Sequence, residues 1–280
     1  FRQWWETNVD VKELKDAYFR TKQNTTWNWA DPSNVPGGLV PIYWNNPYFD
    51  RYENYETDNR NRYFGNVSLN YKINQAFNVL GRISLDSYDE IQEQRYAVGS
   101  IGVPYYSRYN RSFREFNYDL LVNYDKNITS DLNLKALLGG NIRKTTHASI
   151  FASTNGGLIL PGFYALSNSL NAPLAPTEYS DDIEVDGVFA GATLAYRKLL
   201  TLDGTIRRDQ ASTLPRGNNA YYYPSVSGGF TFSELLKDFT WLSFGKLRAN
   251  YAEVGHSAPV YSVNDTYTIG SPFGSQPVAT

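Results

Sequence analysis

The chain of 280 residues contains no cysteine, no methionine and no long hydrophobic run. The absence of cysteine excludes a disulfide framework, a thiolate metal site and a cysteine nucleophile. Without a run of about 18 apolar residues there is no candidate transmembrane helix, although the alternating strands of a membrane β-barrel would leave no such run either. The formal net charge is only -2, which gives no reason to expect a nucleic-acid partner.

Aromatic side chains are abundant instead. They make up 16% of the sequence and include 23 tyrosines, while charged residues make up 19%. This composition favours a membrane β-barrel, whose alternating strands average out as polar. The first residue is Phe1 and no signal-type apolar stretch follows it, so we expect the chain to be part of a longer protein.

The first 59 residues are predicted to form an irregular, aromatic region. A short helix is expected within Asn8–Arg20, with Asn8 or Asp10 as its cap and Leu14 and Tyr18 on one face. The density of proline and glycine after this helix predicts loops.

From about residue 60 the hydrophobic period changes to two. Val67 and Leu69 alternate with Ser68 and Asn70, which is the pattern of a half-buried strand. A second strand follows, in which Phe77, Val79, Ile83 and Leu85 alternate with polar residues, and the two form a pair. Comparable strand pairs follow three more times along the chain. The fold class is therefore predicted to be all-β, with about eight antiparallel strands in residues 60–254 and a loop or the start of a further strand in residues 255–280.

The connections between these strands alternate in length. Short turns are predicted near residues 74, 128, 198 and 236, and longer segments span about 91–112, 148–183 and 211–222. Outer-membrane barrels combine short periplasmic turns with long extracellular loops, whereas a soluble sandwich has no reason to sort its loops by length. The pattern thus predicts a transmembrane β-barrel segment, with apolar side chains facing lipid and polar side chains facing a wet lumen. The cationic residues on the polar face are Lys72, Arg82, Lys135, Arg143, Arg207 and Arg248.

Several stretches resemble SusC/RagA-type TonB-dependent transporters, in the order in which that family has them. They are Asn45–Phe49, Asp58–Arg62, Gly65–Tyr71, Glu93–Tyr96, Leu202–Asp209, Tyr223–Phe230 and Phe244–Gly255. The resemblance implies a piece, about eight strands, of an outer-membrane barrel of roughly 22 strands with a plugged lumen, in a Gram-negative bacterium. It further implies import of oligosaccharides or peptides, energy supplied through TonB, and a SusD-like surface lipoprotein as a lid. No cofactor is expected.

Candidate contacts to substrate or lid are the aromatic residues of the predicted extracellular loops. Exposed aromatic faces stack on sugar rings or on peptide side chains, and the alternative is that these rings pack the loops. The candidates are Trp27, Trp29, Trp44 and Tyr48 in the first region and Tyr105 and Tyr106 in the next long loop. The cationic residues of the polar face are either contacts for an anionic substrate or partners of Asp86, Asp119, Asp203 or the plug.

An enzyme is not expected, because the two histidines, His147 and His256, are far apart and no catalytic motif accompanies them. Asp182, Glu184 and Asp186 begin like a calcium loop, but Thr193 stands where such a loop has glutamate. We interpret them as a weak candidate for a cation site or as a solvated acidic loop end. Other hypotheses left open are a passive porin, a structural barrel subunit of a larger outer-membrane complex, and a soluble sugar-binding β-protein.

Overall fold

The computed structural model describes residues 9–31, 33, 40–236, 241–265, 269–273 and 276–279. Two α-helices precede the strands, namely α1 (Val11–Thr21) and α2 (Pro47–Glu53). The strands are β1 (Tyr55–Lys72), β2 (Phe77–Tyr96), β3 (Tyr105–Asn127), β4 (Leu132–Ser153), β5 (Asn155–Leu158), β6 (Ser169–Asn171), β7 (Thr177–Tyr196), β8 (Leu200–Ala211), β9 (Ala220–Phe230), β10 (Leu247–Ala252), β11 (Ile269–Phe273) and β12 (Gln276–Ala279).

Eight strands form one sheet in the order β1-β2-β3-β4-β7-β8-β9-β10, so each strand pairs with its neighbour in this series. Two small hairpins, β5-β6 and β11-β12, lie outside it. The antiparallel pairing of β8 with β9 sets Leu202 opposite Gly228 and Ile206 opposite Pro224. The predicted all-β class, with about eight antiparallel strands, is confirmed.

Three short turns lie where the sequence predicts them, at residues 73–76, 128–131 and 197–199. Backbone hydrogen bonds link this end of the sheet from strand to strand. The amide of Asp125 donates to Ala76 at 2.9 Å, that of Arg197 to Asp131 at 2.8 Å, and that of Thr231 to Leu199 at 2.8 Å. These bonds, together with the strand order, place the turns at one end of the sheet, as predicted.

The fourth turn was predicted wrongly as a short one near residue 236. Residues 231–246 connect β9 to β10, and Phe232–Leu235 within them form a 3-10 helix. Residues 237–240, which include the end of the predicted turn, lie outside the described residues. By sequence alternation Phe232 would continue β9, but it begins the 3-10 helix instead. Its ring packs so closely on Gly245 that a Cβ added there would lie 2.3 Å from the ring atom Cζ. The chain therefore leaves the sheet before the point that periodicity indicates.

The strands are also longer than the hydrophobic pattern suggests. β1 begins at Tyr55, inside the region predicted to be irregular, and β3 begins at Tyr105, inside a predicted long loop. Residues 55–62 are exposed and mostly polar on both faces. Without an apolar side they give no period-two signal, although their backbone pairs with β2.

The chain divides into two compact units. The described residues within Phe1–Arg62, Tyr88–Ser112 and His147–Ser180 form the first unit. Its core consists of Tyr18, Phe49 and Ala97, with Tyr48 packed against it. Helix α1 begins at its cap Asp10, whose carboxylate accepts from the Lys12 amide at 2.8 Å, and it buries Leu14 and Tyr18 as predicted.

The second unit consists of the described residues within Tyr63–Ser87, Phe113–Thr146 and Asp181–Thr280. Its strands leave large apolar side chains exposed on one face, including Val67, Leu69, Leu202 and Leu247. A depression of about 640 Å³ on this face is lined by Val67, Ile83, Leu120, Ile142 and Val188, among others. The alternation therefore produces an apolar sheet face that the described residues do not cover. No helix in the described part of the chain is long and apolar enough to cross a membrane.

Candidate functional site

The aromatic segment that begins at Trp27 is fixed by buried asparagines. The Oδ1 atom of Asn28 accepts from three successive amides, those of Ile42, Tyr43 and Trp44, at 2.9–3.1 Å. Its Nδ2 atom donates to the carbonyl of Trp44 at 2.9 Å. One asparagine side chain thus satisfies the backbone of a turn that has no strand or helix of its own to do so.

Asn46 is the second anchor, and it is completely buried. Its Nδ2 atom donates to the carbonyls of Leu14 and Thr25, both at 2.8 Å, and its Oδ1 atom accepts from the Tyr48 amide at 2.9 Å as the N-cap of α2. Its own amide donates to Asn24 Oδ1 at 2.7 Å. Asn46 therefore joins α1, the loop after it and α2 into one folded region.

The tryptophans of this segment remain on the surface. Trp27 is 36% exposed, Trp29 is 40% exposed and Trp44 is 48% exposed. Tyr48, which was predicted with them, packs against the core of the first unit instead. The neighbouring Tyr43 is more exposed than any of them. The rings therefore divide into three tryptophans available for contact and one tyrosine that stabilises the fold.

Trp27 and Trp29 line a groove against α1, with a volume of about 760 Å³. Glu13 and Arg20 of the helix and its cap Asp10 contribute to the lining. Trp44 is not among the lining residues, so the structure groups two of the three tryptophans and leaves the third apart. The hydroxyl of Tyr18, a buried residue of the same helix, donates to Glu53 at 2.6 Å. Burial, followed by this contact with the Glu53 carboxylate, raises the pKa of Tyr18 above its ordinary value.

Tyr105 and Tyr106 lie in strand β3 and not in a loop, which corrects their predicted placement. Tyr105 stacks on Tyr96 with ring centroids 5.6 Å apart. Tyr106 is buried, its hydroxyl donates to Glu93, and its amide donates to Thr154 Oγ1 at 3.0 Å. Of the two, only Tyr105 keeps part of its ring exposed.

Three of the six predicted cations of the polar face have carboxylate partners. Arg82 pairs with Asp119 at 2.8 Å, Lys135 with Asp125 at 3.3 Å, and Arg207 with Asp209 at 2.6 Å. The first of these pairs was anticipated from the sequence. For Lys72, Arg143 and Arg248 the described part of the chain provides no ion-pair partner.

A denser charged cluster, which no sequence pattern predicted, lies on strands β1, β2 and β3. Glu90 is buried with 1% of its side chain exposed, and both Arg60 and Arg111 approach its Oε2 atom to 2.7 Å. Alternation along β2 places Glu90 on the same face as Arg82. In the sequence, Arg60, Glu90 and Arg111 are recognisable only as charged residues at polar-face positions of three neighbouring strands. Without the strand register, these positions do not show that the two arginines contact the glutamate.

The acidic trio does not assemble into a recognisable metal centre. Asp182 accepts from Thr146 Oγ1 at 2.7 Å, and Glu184 pairs with Lys144 at 3.1 Å. The described residues contain no group of three or more histidine, cysteine or acidic side chains placed to hold a metal ion. Two of the three carboxylates are therefore engaged by side chains of the neighbouring strand β4.

Comparisons with known proteins bear on the fold. No family model and no curated protein matches the sequence. Among solved structures, the RagAB peptide transporter superposes with a TM-score of 0.70 at 18% identity, over 88% of this chain and 28% of that chain. The RagAB peptide importer gives TM-scores of 0.72 in its closed-closed state and 0.68 in its open-open state, each at 18% identity over 89% of this chain and 29% of that chain. The chain therefore spans less than a third of these structures, and it shares their fold.

Proposed function

We propose that this chain forms part of the barrel wall of an outer-membrane, TonB-dependent importer that takes up peptides or oligosaccharides. The observation that carries the proposal is the likeness of nearly the whole chain to the RagAB peptide transporter. Peptides are the favoured substrate class, because solved structures that are similar to this chain in fold are described as peptide transporters and importers.

The exposed apolar face of the sheet supports a location in a membrane. Val67, Leu69, Leu202 and Leu247 are all exposed and share the predicted lipid-facing side. Soluble monomers rarely expose apolar patches of more than a few hundred Å², and such patches mark surfaces that meet lipid or another protein. An arginine on this face at mid-membrane depth would cost about 2–4 kcal/mol. The cations of the predicted polar face, such as Arg82, Lys135 and Arg207, alternate onto the other face of their strands.

The exposed tryptophans support a role for the first unit in holding a SusD-like surface lipoprotein, its substrate, or both. Trp27, Trp29 and Trp44 are held on a scaffold of buried asparagines and are not free to collapse into the core. Rigid aromatic rings give contact area at a low cost in side-chain entropy, and they occur frequently at binding hot spots.

The test uses the complete transporter that contains this chain, expressed in its outer membrane. We expect uptake of labelled peptides to depend on TonB and on the lipoprotein, and the triple variant Trp27→Ala/Trp29→Ala/Trp44→Ala to lower both uptake and lipoprotein co-purification per folded transporter. Trp241→Ala is the matched control, because Trp241 is an exposed tryptophan outside this aromatic segment, in the β9–β10 connection. TonB-independent uptake would favour a passive porin. Complex formation without any uptake would favour a structural subunit.

A further inference from the structure

Glu90 is the most enclosed acidic side chain in the described part of the chain, and two arginines from different strands hold it. Arg60 of β1 donates from Nε at 3.1 Å and from Nη2 at 2.7 Å, both to Glu90 Oε2. Arg111 of β3 reaches the same oxygen from Nε and from Nη2, each at 2.7 Å. The other carboxylate oxygen, Oε1, accepts from Gln92 Nε2 at 2.6 Å.

This geometry leaves donors over on both arginines. A guanidinium carries five N–H groups, and each of these two uses only its Nε–Nη2 edge on Glu90. The Arg60 side chain is 42% exposed and the Arg111 side chain is 34% exposed, while Glu90 is closed off from solvent. No other hydrogen bond joins either guanidinium to a residue that the structure describes, and both side chains are partly open to solvent, so N–H groups remain available to a ligand.

The cluster also carries an excess of positive charge. Two guanidinium groups meet one carboxylate, which leaves a net charge of +1. The ring of Tyr88 lies close to both cations, with centroids 4.6 Å from Arg60 Cζ and 5.8 Å from Arg111 Cζ, and so restricts their rotation. Asp58 lies two residues before Arg60 on the same face of β1. It forms no ion pair with either arginine or with any other residue that the structure describes, so it does not neutralise this charge by direct contact.

The face and position of the cluster suit a solute and not lipid. Strand alternation puts Arg60 on the side of Lys72 and puts Arg111 on the side of Asp119, which is the polar face. Along β2, Glu90 follows the apolar alternation that ends at Leu85. The cluster therefore lies on the predicted lumen side, in the part of the strand nearer the long connections.

We propose that the Arg60–Glu90–Arg111 cluster is a carboxylate-binding site for the transported solute, and this rests on the proposed function as an importer of peptides. Arginine presents two parallel donors that match the two oxygens of a carboxylate. Glu90 and Tyr88 preorganise the pair, so the cost of ordering two long side chains is already met before a ligand arrives. The matching group on a peptide is its C-terminal carboxylate or an acidic side chain.

The experiment compares three versions of one labelled peptide on the complete transporter: a free C-terminus, an amidated C-terminus, and a free C-terminus with internal aspartates changed to asparagine. For the unmodified transporter we expect amidation or aspartate removal to weaken binding about 10- to 100-fold, as the loss of charge-assisted hydrogen bonds would. The version that loses affinity identifies which carboxylate is bound.

The diagnostic variant is Arg60→Gln/Glu90→Gln/Arg111→Gln, which removes all three charges together and leaves no unpaired buried carboxylate. We expect this variant to bind the peptide with the carboxylate less than about twofold more tightly than the peptide without it, which is what uncharged hydrogen bonds would leave. Arg197→Gln is the matched control, because Arg197 is an exposed, ion-paired arginine in the short turn between β7 and β8, and it should keep the full preference.

An unchanged preference in the triple-glutamine variant, or equal binding of all three peptides by the unmodified transporter, would overturn the proposal. A loss of transporter stability in that variant with the preference intact would assign the cluster to contacts with another part of the barrel protein. If the unmodified transporter takes up none of these peptides and no oligosaccharide, the importer function itself fails. That outcome is distinct from uptake that ignores the carboxylate.

Discussion

Replacing Asn46 with alanine should release the aromatic region of the first unit from its scaffold. The side chain makes three hydrogen bonds, to Leu14, Thr25 and Tyr48, and it is completely buried. Alanine cannot replace any of them, and each buried partner left unsatisfied costs about 1–3 kcal/mol. The lost cap of α2 alone accounts for about 1 kcal/mol.

A conservative total for Asn46→Ala is about 2–4 kcal/mol, because neighbouring losses do not add fully and water can reach some of the freed groups. At 1.4 kcal/mol per tenfold change, even the lower value raises the population of locally opened molecules about 30-fold. This local opening is what native-state hydrogen exchange measures. We therefore expect amides of residues 11–31 and 40–46 to exchange at least about 30-fold faster, with the strands of the second unit unchanged.

Asn218→Ala is the matched control, since Asn218 is exposed in the β8–β9 connection and its side chain forms no hydrogen bond with a residue that the structure describes. It should leave exchange within about twofold of the unmodified protein, as surface substitutions usually do. Exchange in Asn46→Ala that stays within the range of this control would refute the idea that buried asparagines hold the tryptophans in place.

Two further substitutions have outcomes that the structure specifies. Gly139→Ala should lower the free energy of unfolding by about 1–3 kcal/mol, because a Cβ there would lie 2.5 Å from the Phe189 ring. Gly81→Ala is its control and should fold normally, because a Cβ at Gly81 meets nothing within 4 Å. The folded fraction of each variant is measured by heat-modifiability on gels. Tyr18→Phe should lower the free energy of unfolding by about 1 kcal/mol through the lost hydrogen bond to Glu53. Ultraviolet pH titrations of the unmodified protein and of this variant should differ by one phenol step, which belongs to Tyr18. That step should lie above the ordinary tyrosine pKa of about 10. Since the folded pKa is the raised one, this stabilisation is fully present below pH 10 and is lost as the pH rises from 10 through the raised folded pKa; a step at or below pH 10 would contradict the burial of Tyr18.

The apolar face and the short turns could be predicted because both leave local signals. Val67, Leu69 and their counterparts repeat every second residue, and three of the four short turns lie at the predicted positions. The start of β1 at Tyr55 and of β3 at Tyr105 could not be found in this way. Outside an apolar band both faces of a strand are polar, so only backbone pairing, which has no sequence period, marks them as strands.

The asparagine scaffold was equally hidden. Asn28 and Asn46 lie among prolines and glycines, where asparagine ordinarily indicates a turn. Nothing local distinguishes them from the exposed Asn218, although Asn46 is completely buried and Asn28 satisfies three successive amides. Their role depends on which distant carbonyls and amides the fold brings within reach.

The charged cluster shows most clearly where prediction from alternation ends. A one-residue slip between strands would exchange the two faces, so the apolar pattern excludes it strongly. A two-residue slip would keep every apolar side chain on the same face and would still separate Glu90 from Arg60 and Arg111. Alternation therefore predicts which face a residue occupies, whereas its partner on that face depends on the register. Because the site chemistry proposed for Glu90 lies in its partners, it became visible only when neighbouring strands were aligned by their side-chain contacts.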